Sequence, residues 1–181
     1  METKNIYLSG IGTINSYTED DNFLHIEGYG AHFNRANLNQ ERVDANSFNQ
    51  FFTMYNEGKL TPILNWNHDS NQVIGTIDTI TSDETGLFFK ASINRGVKFC
   101  DENLIPNITA GVINSFSTEG YIGGGYDGIV EYEDGSYYVK NFILTALAVV
   151  STPADWDAKF GIANYLKEMK EEQKSKWYLL F

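Results

Sequence analysis

From Ile6 to Asn15, and again from Phe23 to Phe33, the chain is rich in β-branched and aromatic residues, which predicts two strands. Thr18-Glu19-Asp20-Asp21-Asn22 between them has turn composition. The period then changes. After a polar, aperiodic stretch over 34–43, Phe48, Phe51, Phe52 and Tyr55 recur at spacings of three and four, which predicts a helix from Ala45 to Tyr55, capped by Ser47 or Asn46 and ended by Gly58. Pro62-Ile63-Leu64-Asn65-Trp66 reads as a strand running into the polar segment Asn67 to Asn71, so His68 is expected where a strand meets a loop.

Two further β-rich runs, Val73 to Ile80 and Gly86 to Ile93, flank a polar turn at 82–86 and predict a hairpin. Asn103 to Ile113 fits neither period. Strands are expected again over Ser115 to Tyr121, Gly128 to Tyr132 and Ser136 to Val150, separated by turns at Gly123-Gly124-Gly125 and Glu133-Asp134-Gly135. Trp156, Phe160, Ala163, Tyr165, Leu166 and Met169 have helical spacing, so an amphipathic helix over Ala154 to Lys170 is expected to close the domain. Sequential strands with short turns predict a mainly β (α+β) domain over residues 1–170: a closed or strongly curled antiparallel β-barrel with flanking helices. Residues 171–181 form a charged, then apolar, tail.

Composition narrows the function classes. The net charge of −11 disfavours a phosphate backbone as partner, so no nucleic acid is expected. No run approaches the roughly 20 apolar residues that cross a bilayer, nor the apolar core of a secretory signal, so no membrane partner is expected and the chain is expected to stay in the cytoplasm. Cys100 is the single cysteine, which rules out an intrachain disulfide and a multi-thiolate metal site; neither metal nor cofactor is expected. Beside Asp101 that thiol has no cation to activate it and reads as a partly buried thiol.

Three histidines are available for base chemistry. His25 alternates with Phe23 and reads as structural. His32 sits in Gly28-Tyr29-Gly30-Ala31-His32-Phe33, where glycines allow close backbone approach. His68 lies between Trp66 and Asp69 at a strand end, a position suited to a cleft rim. A histidine base needs a hydroxyl or thiol brought within reach by folding, and the spacing alone does not choose among the serines. No Gly-x-Ser-x-Gly elbow, Walker loop or His-Glu-x-x-His helix is present, and the glycine-rich turn at 120–125 lacks the lysine and helix of a phosphate cradle.

The ordered pieces Gly28 to Asn34, Asn65-Trp66-Asn67-His68-Asp69, Ile74-Gly75-Thr76-Ile77, Gly86-Leu87, Gly111 to Ser117 and Val149-Val150-Ser151-Thr152-Pro153-Ala154-Asp155 resemble the caudovirus prohead (capsid maturation) serine protease family, over about residues 23 to 160. The resemblance implies a fold related to herpesvirus assembly proteases, with His68 as base and Ser117 as nucleophile. Two positions depart from the family pattern. Thr118-Glu119 stand where the family has one residue between serine and the Gly-aromatic pair, which makes Ser115 the fallback nucleophile and predicts a bulge. Ala146-Leu147-Ala148 stand where the family reads Glu-Val-Ser, so the carboxylate that orients the histidine is missing from its usual place. The third member is then expected from His32 first, by analogy with the second histidine of the herpesvirus enzymes, with Asp69, Asp78 and Glu119 behind it.

What the resemblance implies about function is a serine endopeptidase cutting scaffold and capsid-protein segments within the assembling prohead in the host cytoplasm, without cofactor, and self-associating as a homo-oligomer such as a dimer. The contrasting expectation is a catalytically inactive relative that kept the fold and lost the acid at position 146.

Overall fold

The computed structural model describes residues 6–37 and 40–151, so the helix expected over 154–170 and the C-terminal tail lie outside the described residues. Strand β1 (Ile6–Glu19) turns through Asp20, whose Oδ1 accepts from the backbone N–H groups of Asn22 and Phe23 at 2.8 Å each, into β2 (Phe23–His32). That side-chain mimic of a backbone turn is why the acidic stretch at 19–22 reverses the chain. Strand β3 (Glu41–Arg42) is short. It leads to a 3₁₀ turn (Ala45–Phe48) and helix α1 (Asn49–Asn56).

The cap is Asp44, not Ser47 or Asn46. Its carboxylate accepts from the N–H groups of Asn46 and Ser47, and the Ser47 hydroxyl accepts from the Asp44 N–H, which forms a reciprocal capping box. Gly58 ends the helix as expected, at a positive φ of 69°.

Next come β4 (Ile63–Trp66), β5 (Asp69–Ser82) and β6 (Gly86–Asn94), the last two forming the expected hairpin. A π-turn (Cys100–Leu104) and helix α2 (Ile105–Thr109) occupy the segment of mixed pattern. Strands β7 (Ser115–Ile122), β8 (Ile129–Glu131), β9 (Tyr137–Val139) and β10 (Phe142–Val150) complete the described chain. The single strand expected from Ser136 to Val150 is therefore broken at Lys140-Asn141, where the chain leaves one sheet for another.

The molecule is mostly β, with a large mixed sheet and two short helices among the described residues. Strands follow the order β1-β2-β6-β5-β4-β10-β7, and β7 pairs back onto β1. Strands β3, β9 and β8 make a second, small sheet. The expectation of antiparallel pairing is corrected at two seams: β10 runs parallel to β4, with Ala146 opposite Ile63 and Val149 opposite Trp66, and in the small sheet β3 runs parallel to β9. Short turns dictate the sense only of strands adjacent in sequence. β4 and β10 are joined by a long excursion that permits either sense.

Leu24, Ile26, Leu64, Phe89, Phe116 and Leu147 fill the concave side of the large sheet, each at most 2 % exposed. Phe48 packs between Phe33 and Phe142, with ring centroids 6.0 and 5.9 Å away. Each such side chain contributes about 1.5–3 kcal/mol by leaving water. Strand β10 is apolar almost throughout because it is buried on both faces, and its outer face forms the floor of the candidate site.

Candidate active site

His68 owes its position to a two-residue turn. Trp66 pairs with Asp69, and both residues between them, Asn67 and His68, have positive φ, 49° and 63°. Two left-handed residues in succession define the tight hairpin turn whose twist matches that of its flanking strands. Asn tolerates that conformation, and His more readily than most residues. Asn67 also ties the turn to β10: its N–H donates to the Val149 carbonyl at 3.0 Å, and its Oδ1 accepts from the Ser151 N–H at 3.1 Å. The loop expected from 67 to 71 is thus only these two residues, since β5 begins at Asp69.

Side chains alternate along β7, so Ser115, Ser117 and Glu119 share one face while Phe116 enters the core. Across the seam, Ser117 lies opposite Ala148 and Glu119 opposite Ala146; beyond β10, Ala148 lies opposite Asn65. The two alanines leave a low floor between β4 and β7. Over that floor, His68 Nδ1 stands 3.5 Å from Glu119 Oε2, and Asn65 Nδ2 stands 3.5 Å from the same oxygen. Glu119 and Ser117 are each 4 % exposed, while the His68 side chain is 22 % exposed and so faces both the buried acid and solvent.

The bulge expected at Thr118-Glu119 does not lie in the seam of β7 with β10 beside the nucleophile. β7 and β10 pair residue for residue from Ser115 to Glu119, and the irregularity lies on β10 between Leu144 and Ala146. There Thr145 Oγ1 donates to the Glu119 carbonyl at 3.3 Å. A second irregularity lies on β1, between Leu8 and Gly12, opposite the Thr118 to Phe116 step of β7.

Of the other residues read from the sequence, Ser115 donates to Asn114 Oδ1 at 2.9 Å. His32 ends β2 opposite Gly86, with its ring 5.5 Å from that of Tyr29. Asp69 accepts from the Asn71 N–H, and Asp78 accepts from Ser92 and Thr76 on the strands remote from β7. His25 is structural: Nδ1 lies 2.8 Å from Ser92 Oγ and Nε2 3.0 Å from Asp20 Oδ2. Its hydrogen bond, with those of the Asn22 and Phe23 N–H groups, holds the Asp20 carboxyl down at about 2. Cys100 is fully buried, and burial pushes its thiol up to about 11. The described residues contain no group of three or more His, Cys, Asp or Glu that could hold a metal ion. No helix among them is long and apolar enough to cross a membrane.

Glu119, expected behind His32 for the third place, is the carboxylate that approaches His68, and Asn65, which the sequence does not single out, approaches the same oxygen. The signal for Glu119 was present in the alternation of β7, which places residues 117 and 119 on one face; the register that sets 119 opposite 146 was not.

The family model of the caudovirus prohead serine protease matches residues 13–173. The chain belongs to that family. Among solved structures, the capsid assembly protease of bacteriophage T4 is similar in fold, with a TM-score of 0.63 and 18 % identity, over 83 % of this chain and 98 % of that one. No curated protein matches the chain by sequence.

Proposed function

We propose that the chain is a serine endopeptidase of capsid maturation in which Ser117 is the nucleophile, His68 the base and Glu119 the acid that orients the base. The observation that carries this reading is the 3.5 Å approach of His68 Nδ1 to a nearly buried carboxylate on the strand that bears Ser117. An Nδ1–H directed at Glu119 leaves Nε2 as the proton-accepting nitrogen. In the reaction, Ser117 Oγ forms a bond to the scissile carbonyl carbon while its proton passes to His68 Nε2. The same proton is then given to the leaving amine, and water activated by His68 hydrolyses the acyl-enzyme. The buried acid stabilises the imidazolium formed at each step. Catalytic contacts of this kind tighten when substrate fills the site, so a 3.5 Å separation suits the free enzyme.

The substrates we propose are scaffold and capsid-protein segments inside the assembling shell, bound in extended form so that their backbone is accessible to Ser117. The pairing of β7 with β1 supports the closed barrel as the scaffold of this site. The inactive reading rests on Ala146 and on the extra residue after Ser117; a carboxylate directly across the seam from Ala146 speaks against it.

A fluorophosphonate probe tests the nucleophile without any knowledge of the substrate. The Ser117 oxygen forms the P–O bond, fluoride leaves and the proton passes to His68. Peptide mapping is expected to place the adduct on Ser117; an adduct on Ser115, or none on the folded protein, contradicts the assignment.

A further inference from the structure

Asn65 is an amide in an apolar setting. It stands between Leu64 and Trp66 on β4, is 0 % exposed, and its Oδ1 is buried without a hydrogen-bond partner among the described residues. A buried amide with one end unsatisfied is costlier than leucine or alanine would be there, so packing does not account for it. Its other end does have a partner. Nδ2 approaches Glu119 Oε2 at 3.5 Å, the same oxygen that His68 Nδ1 approaches at 3.5 Å. The register explains how it reaches: Asn65 is opposite Ala148, and Ala148 is opposite Ser117, so one methyl group separates the amide from the β7 side chains.

We propose that Asn65 is a positioning residue for this site: its amide N–H holds Oε2 of Glu119 in line with His68 Nδ1. Thus the neutral imidazole keeps its proton on Nδ1 and turns Nε2 toward Ser117. This rests on the triad reading above. Glu119 reaches His68 from a neighbouring strand, and a glutamate side chain has three torsions to fix. A second donor on the same oxygen restricts them.

The test compares wild type with Asn65→Leu, which keeps the bulk and removes the amide, and Asn65→Ala, which removes the donor without adding bulk or charge. Two readouts are taken. The ¹⁵N shifts of the His68 ring report the tautomer whether or not the protein cleaves anything, and the rate of fluorophosphonate labelling reports nucleophile activation. The expected result is an Nδ1–H tautomer in wild type, a mixed tautomer in both variants, and labelling slowed about 10–100-fold, the scale on which loss of an orienting partner acts. Asn65→Gln, which restores an amide donor, is expected to recover part of the rate. Wild-type tautomer and labelling rate in a folded Asn65→Ala protein overturn the proposal even if Asn65→Leu fails to fold. The triad reading has its own control: if Glu119→Gln leaves the His68 tautomer unchanged, Glu119 does not orient the base, and both readings fall.

Discussion

Ala146 of β10 stands directly opposite Glu119 of β7. The position from which the acid is absent and the position that carries one are cross-strand neighbours on the same face, where paired Cβ atoms lie about 4.5–5.5 Å apart. The Glu119 carboxylate reaches His68 from this facing position, and the His68 turn is tied to the end of β10 through Asn67.

That neighbourhood predicts a relocation experiment. Glu119→Ala is expected to lower fluorophosphonate labelling of Ser117 by about three to four powers of ten, the scale of losing the third member of a triad. Adding Ala146→Glu to that variant is expected to recover at least about tenfold, since the new carboxylate rises from the facing position. The same Ala146→Glu change with Glu119 intact sets two carboxylates against each other and is expected to lower thermal stability. No recovery in a folded double variant would mean that the facing position cannot serve His68.

Asp20 predicts an acid-side effect on stability. Its carboxyl titrates at about 2 when folded against 3.8 ordinarily, chiefly because of His25 and then the Asn22 and Phe23 N–H groups. A depressed folded value means the contribution is present above 3.8 and lost as pH falls toward 2. Asp20→Asn is therefore expected to melt below wild type at neutral pH and to converge with it across that window. Parallel melting curves from neutral pH down to pH 2 would show that the turn gains nothing from the charge.

Much of this architecture can be read from residue order, and the reasons for the rest are local. The β5–β6 hairpin follows from alternation flanking a polar turn, and the end of α1 follows from Gly58. The Asp44 cap was missed because either of two following polar residues could have filled that role, and only the backbone of Asp44, at φ −134°, distinguishes it. His68 and Ser117 stand out in the sequence as candidates because they lie in short ordered motifs. Glu119 and Asn65 come to the candidate site through cross-strand register over β10, and a parallel seam between strands far apart in sequence leaves no trace in local pattern.

Cys100 is expected to be inert in the folded protein. It is fully buried, its Sγ lies 3.7 Å from the Ile74 carbonyl oxygen, and burial holds its thiol at about 11, so little thiolate forms at neutral pH. Iodoacetamide at pH 8 is expected to alkylate it only as fast as the domain opens, with denaturant raising the rate by orders of magnitude. Rapid labelling in native buffer would contradict this burial.

The central claim is that Ser117 and His68 act together on a peptide bond. Purified wild type, Ser117→Ala and His68→Ala are incubated with the scaffold and capsid chains of the same phage, and the fragments are followed by mass spectrometry. The account predicts discrete cleavage by wild type alone, with both variants folded and silent. Equal cleavage by the Ser117→Ala protein, or no cleavage by any of the three folded proteins, would contradict it.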